Sequence, residues 1–263
     1  MDAAGAALLV DFQHVDVLRG GRAVVHGLQL QIGIGEHVAI VGPNGAGKSS
    51  LLKLITRECY PVPGEGVVCR VLGRERWNVF ELRADLGIVT NDLALQLAPN
   101  ATLRDIVLSG FFSSASIESF HAVTAEMRTA AEDALERLGI AALADRRFDA
   151  VSSGELRRAT IARALVHRPR ALVLDEPSAS LDVAARRELG AALRSLAAEG
   201  VAIVLVTHEL EDVIPAIQRV VFLAAGRVVA DGPKAVLFSE EALGRLFGVA
   251  VAVDESDGVY TMR

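Results

Sequence analysis

The chain has 263 residues, 51% of them hydrophobic, with a formal net charge of −6. That length buries a substantial core, as one large α/β domain or two small ones. An acidic balance without a basic run gives no indication of a nucleic-acid-binding surface, and two cysteines, Cys59 and Cys69, suit neither a disulfide framework nor a four-ligand metal site.

Met1-Asp2-Ala3-Ala4 has no basic n-region, so no secretory signal is expected. Residues 8–41 read as strands: Leu28, Leu30 and Ile32 alternate with polar residues, and Gly20-Gly21 punctuates a hairpin. Val38-Ala39-Ile40-Val41 is a short apolar run entering a glycine-rich turn, as a buried parallel strand would. A helix is expected over 49–58, with Leu51, Leu52 and Ile55 on one face. From Pro99 and Asn100-Ala101-Thr102 the pattern turns helical. Val123, Met127, Ala130, Ala134 and Leu138 recur at helical spacing, and Gly139 ends the run. This reads as a helical subdomain over about 91–168, inserted in one domain spanning 1–263.

Residues 171–174 and 201–206 are two more short buried strands. After Gly226 a small hairpin, Arg227-Val228-Val229-Ala230, precedes a short helix near 239–247, within a C-terminal tail counted from 236 to 263. Residues 249–263 carry no expectation of their own. The alternation of strand and helix predicts an α/β fold: a mostly parallel sheet with flanking helices, preceded by an antiparallel β region. No stretch reaches about 18 uncharged apolar residues. Residues 213–230 come closest, broken by Pro215, Gln218, Arg219 and Arg227. A cytoplasmic chain is expected, reaching the inner face of a membrane only through a partner.

Gly42-Pro43-Asn44-Gly45-Ala46-Gly47-Lys48-Ser49 fits the phosphate-binding pattern G-x-x-x-x-G-K-[ST], with Ser50 following. The glycines let backbone N–H groups point inward at phosphate oxygens, and the helix that follows adds its positive end. Lys48 can reach the β- and γ-phosphates, and Ser49 can place its hydroxyl on Mg²⁺. Leu172-Val173-Leu174-Asp175-Glu176 is an apolar strand ending in two carboxylates. Asp175 suits Mg²⁺ and Glu176 suits polarising the attacking water.

With these motifs in this order, the chain resembles the ATP-binding cassette (ABC) nucleotide-binding subunit, a P-loop NTPase core, from about residue 10 to 235. Val151-Ser152-Ser153-Gly154-Glu155 sits where that family carries its signature, usually Leu-Ser-Gly-Gly-Gln. Ser180-Leu181-Asp182 sits at the family's dimer-contact loop, and His208 at its switch histidine. The resemblance implies an ATPase that dimerises around two Mg²⁺-ATP, as a homodimer or with a similar cassette. Ser152 and the Gly154 N–H of one copy would close over the γ-phosphate held by the other. It also implies transmembrane permease subunits as partners.

Departures from the family pattern accompany the likeness. Ser153 replaces a glycine, at a cost of about 1 kcal/mol if that position needs positive φ and at none otherwise. Glu155 replaces glutamine, which still favours a helix start. Asn91 falls where the family has a glutamine reaching Mg²⁺, and its side chain is shorter by about 1.5 Å; Asp92 beside it could supply an oxygen instead. Arg19 aligns with an aromatic residue under adenine. A guanidinium can stack on a base, and a solvated turn arginine fits the residue equally.

Phe111 and Phe112, with Leu93, Leu95 and Leu97, either receive a helix of a membrane subunit or pack within the helical subdomain. Two readings stand: the ATPase subunit of a transporter, and a soluble ABC ATPase in assembly, repair or regulation. Asn91 and the variant signature resemble a stand-alone prokaryotic branch. About a hundred residues between Ser49 and Ser152, without sustained heptads, exclude the long-armed chromosome-maintenance types.

Overall fold

The computed structural model describes residues 7–90 and 100–263. The strands and helices begin with β1 (Leu8–Arg19), β2 (Arg22–Gly33), β3 (Val38–Val41), α1 (Lys48–Ile55), β4 (Val68–Val71), α2 (Val79–Asp85) and β5 (Leu86–Val89). Then come α3 (Leu103–Ser109), α4 (Ala125–Arg137), α5 (Ser153–Leu165), β6 (Ala171–Asp175) and α6 (Val183–Ala198). The chain closes with β7 (Ala202–Thr207), β8 (Arg219–Ala224), β9 (Arg227–Pro233), α7 (Lys234–Leu237), α8 (Glu240–Phe247), β10 (Val253–Ser256) and β11 (Val259–Met262). These elements form two compact units, one running to Val79 and resuming at Ala202, the other between Phe80 and Val201.

In the first unit, β1 lies between β2 and β4, antiparallel to both. Gly20 and Gly21, at φ 57° and 76°, make the tight turn from β1 to β2. In a second sheet β3 is flanked by β7 and β8, both parallel to it, and β9 pairs antiparallel with β8. Every residue of β3 and of β7 is buried, as expected of strands covered on both faces. Helix α1 stops at Ile55, short of the expected residue 58. Arg57 turns to a left-handed φ of 60°, aiming its buried guanidinium at the carbonyl oxygens of Cys69 (2.6 Å) and Arg74 (3.0 Å). Gly248, at φ 73°, ends α8, and the tail beyond it folds into the β10–β11 hairpin.

In the second unit, β5 and β6 pair in parallel, with Leu86 opposite Ala171. Helix α5 packs against α3, α4, α6 and β5. Thr124 caps α4, and its buried Ala131, Ala134 and Leu135 follow the helical spacing read from the sequence. The α/β reading holds: β3 with β7, β3 with β8 and β5 with β6 pair in parallel, and β8 with β9 antiparallel. Asn91, Asp92, Leu93, Leu95 and Leu97 lie outside the described residues.

Candidate functional site

The phosphate loop joins β3 to α1. Gly47 occupies the N-cap at φ 102° and has no side chain with which to cap the helix. No side chain caps the positive end of the helix, the end that favours an anion. Lys48 is buried, and its Nζ curls back to donate to the carbonyl oxygens of Gly42 (2.8 Å) and Pro43 (3.2 Å). That holds an ammonium over the concave face of the loop. Asn44, Gly45 and Ser49 are exposed, whereas Ala46 and Ser50 face the interior.

Gly226, in the β8–β9 turn, braces this loop from 180 residues away along the chain, a role no local pattern announces. Its N–H donates to the Ala46 carbonyl oxygen at 2.8 Å, and its own carbonyl accepts from the His26 N–H at 2.9 Å. It sits at φ 72°, and a Cβ there would lie 2.5 Å from the Val24 carbonyl oxygen. Only glycine fits.

His208 follows β7 directly. Because β3 and β7 are parallel with Val41 opposite Thr207, the phosphate loop and His208 leave the same edge of one sheet from neighbouring strands. The carboxyl ends of parallel strands are where α/β sheets hold ligands. His208 is half-buried, with Nε2 3.5 Å from Glu209 Oε1. Buried Thr207 fixes the residues around it. Its Oγ1 donates to Asp212 Oδ2 (2.8 Å) and accepts from the Glu209 N–H (3.0 Å). Arg19 is exposed at the end of β1, beside the Gly20-Gly21 turn.

In the second unit, Asp175 closes β6 after four buried residues. Glu176 then adopts φ 43°, a left-handed conformation costing a non-glycine residue about 1–2 kcal/mol. Strain of that kind persists where the surroundings fix it and is concentrated at functional sites. Burial pushes the half-buried Arg157 guanidinium on α5 below its usual range, and the Asp175 carboxylate opposes that shift. Arg157 thus lies within the field of Asp175, a relation the sequence alone did not suggest.

The signature segment begins α5. Ser152 is the N-cap, its Oγ accepting from the Glu155 N–H (3.2 Å) and donating to Glu155 Oε2 (2.8 Å), which also accepts from the Ser152 N–H (2.7 Å). This capping box accounts for Glu155 locally. Those backbone and hydroxyl donors from Ser152, with Arg158 and Arg146 nearby, hold the Glu155 carboxyl below its ordinary value. Ser153 is the exposed first residue of the helix with ordinary helical φ, so the cost attached to positive φ does not arise.

Gly154 is buried, and a Cβ there would lie 2.6 Å from the Cβ of Ala185 on α6. An ion pair from Arg158 to Glu188 (2.9 Å) joins the same two helices. Gly154 therefore also serves a contact within its own chain. A Gly154→Ala substitution overpacks that contact and is expected to cost about 1–3 kcal/mol of stability, read by urea unfolding; an unchanged midpoint would refute the packing role.

Ser180 takes φ 64°, Leu181 is buried, and Asp182 caps α6 by accepting from the Ala185 N–H at 2.8 Å. Phe111 meets His167 edge-on at 5.0 Å, and Phe112 stacks on His121 at 4.1 Å, so both rings pack within the second unit.

A family model described as ABC transporter matches residues 25–179. The hemin import ATP-binding protein HmuV of Bradyrhizobium diazoefficiens is 32% identical over 259 residues, covering 95% of this chain and 92% of that protein. Among solved structures, CbiO1 of Clostridium perfringens, part of the ABC transporter complex CbiONQ, superposes with a TM-score of 0.75 at 28% identity, covering 91% of this chain and 94% of CbiO1. The MJ0796 ATP-binding cassette, as a dimer in a post-hydrolysis state with ADP and phosphate, gives a TM-score of 0.68 at 26% identity over 85% of this chain and 98% of that one.

Proposed function

We propose how the site works from one premise: this chain belongs to the ABC transporter family of ATP-binding proteins. It is an ABC-type ATPase, the energy-coupling subunit of a membrane transporter, and it works as a dimer of cassettes with transmembrane permease partners. No helix among the described residues is long and apolar enough to cross a membrane. We place the chain in the cytoplasm, held at the inner face of the membrane by its permease.

The observation that carries the residue assignments is the shared sheet edge from which the phosphate loop and His208 emerge. Backbone N–H groups of residues 42–49 and the start of α1 hold the phosphates, and the Lys48 ammonium neutralises charge between β and γ. Arg19 stacks under the adenine. Glu176 accepts the proton of the attacking water, and His208 donates a hydrogen bond to the γ-phosphate.

Ser49 and Asp175, with Asn91, would hold Mg²⁺ through oxygen. No cluster of three metal-ligating side chains forms among the described residues, and the exposed hydroxyl of Ser49 suits a cation that arrives with phosphate ligands. When bound, Mg²⁺ neutralises charge on the transferring phosphoryl group.

Ser152, Ser153 and Gly154 serve the ATP of the second copy. The Ser152 hydroxyl hydrogen can turn from Glu155 toward that phosphate while its oxygen still accepts the Glu155 N–H, so the cap survives closure. Residues 180–182 line the same dimer contact.

Mixing two inactive chains tests completion in trans. Lys48→Ala removes the phosphate contact, and Ser153→Glu places a charge at an exposed helical position without disturbing the fold. A heterodimer of the two keeps one intact site, so random pairing should recover about a quarter of the normal turnover. Mixtures no more active than their components would rule out sharing of the site.

A further inference from the structure

The segment after Gly248 carried no expectation from the sequence, yet a buried charge fastens it to residues 208–215, the stretch that begins at His208. Lys234, one of only three lysines in the chain, opens α7 and is 3% exposed. Its Nζ donates to the carbonyl oxygens of Ile214 (3.3 Å) and Gly258 (3.2 Å) and lies 5.6 Å from the centroid of the Tyr260 ring. Burying an ammonium is costly unless hydrogen bonds compensate it, and an apolar side chain of similar length would fill the space more cheaply. The charge joins two segments far apart in the chain: the stretch after His208, at Ile214, and the tip of the C-terminal hairpin, at Gly258.

The hairpin reaches the switch region by packing as well. β11 packs against residues 210–212, and a Cβ added at Gly258 would lie 3.2 Å from the Pro215 Cβ. Glu255 accepts the Gly258 N–H at 2.6 Å and so shapes the turn that Lys234 grips. Tyr260 meets Phe238 edge-on at 5.2 Å, and Phe238 stacks on Phe222 of β8, which ties the hairpin to the sheet. Residues 210–212 in turn hold Asp212 where it accepts the hydroxyl of Thr207, the residue before His208.

We propose that the β10–β11 hairpin sets the position of His208, with Lys234 as the positioning residue that fastens the hairpin to the switch segment. The inference rests on the reading of His208 as a γ-phosphate contact. A group that acts only when the transition state forms is sensitive to small displacement, since misplacement of about 1 Å can cost about 10²-fold in rate. Loosening the hairpin should therefore lower kcat while leaving the phosphate loop, and so KM, nearly untouched.

The experiment measures ATP turnover of the full-length chain as Lys234→Met, Tyr260→Leu, His208→Ala, and Lys234→Met combined with His208→Ala. Lys234→Met is expected to lower kcat about ten-fold with KM for ATP within about two-fold, Tyr260→Leu to act in the same direction by less, and the double variant to be no slower than His208→Ala alone. If Lys234→Met does not fold, Tyr260→Leu decides by the same split of kcat from KM. A melting temperature that falls while kcat stays, or kcat losses that multiply in the double variant, overturns the positioning role alone, given a slow His208→Ala protein. A His208→Ala protein at the normal rate overturns the reading of His208, and this inference with it.

Discussion

A Glu176→Gln chain should lose turnover by about 10²–10⁴-fold while still binding ATP, the range over which a positioned general base contributes. The amide keeps the shape of the carboxylate but cannot take a proton from water. The backbone at this residue is already committed to a left-handed φ of 43°, which glutamine inherits, so the change acts on chemistry and leaves the strand end as it is. Losing a negative charge beside the γ-phosphate also removes a repulsion from the closed state. In Mg²⁺-ATP the variant should therefore elute from size exclusion as a dimer, and without nucleotide as a monomer. Wild-type turnover, or a chain that stays monomeric in saturating ATP, would falsify the assignment.

Lys48→Ala should fail one step earlier, at binding. Its ammonium is held by the Gly42 and Pro43 carbonyl oxygens, which fixes it before nucleotide arrives. Charge-assisted hydrogen bonds contribute about 1.5–3 kcal/mol each, so loss of one phosphate contact weakens ATP affinity by about 10–100-fold. Calorimetric titration with ATP and Mg²⁺ reads this directly. An affinity within two-fold of the normal chain would show that the ammonium belongs to the fold of the loop and not to the phosphate. The two variants separate the roles: Glu176→Gln binds and stalls, Lys48→Ala binds weakly.

The sequence was most legible where function is written in consecutive residues. The phosphate loop is local because its chemistry is backbone chemistry, and glycine spacing encodes backbone shape. The helix start at Glu155 was legible for the same reason, though the capping box with Ser152 that makes it was not read. What stayed hidden depends on contacts between distant segments. Gly226 braces the loop through Ala46, and Gly154 makes room for Ala185; neither partner can be inferred from neighbours in the chain.

The C-terminal hairpin is a different case, since its signal was present. Asp257 and Gly258, at φ 53° and 77°, form the tight turn that an Asp-Gly pair favours between strands. The flanking residues 253–256 hold Asp254, Glu255 and Ser256, so the alternation of apolar residues that usually accompanies such a turn is weak on that side. The placement of Ser153 could be settled only by its dihedral, because the motif alone does not say whether the helix starts before or after it.

The contact between Gly154 and Ala185 joins the two segments proposed to face a partner cassette. The signature residues start α5, the 180–182 loop starts α6, and at that end the helices meet with no side chain on one of them. The Arg158–Glu188 pair links them again one turn further on. Held at these two points, the helices resist sliding past each other. On the proposed assignment, pressing the signature onto a neighbour's ATP moves residues 180–182 in the same stroke.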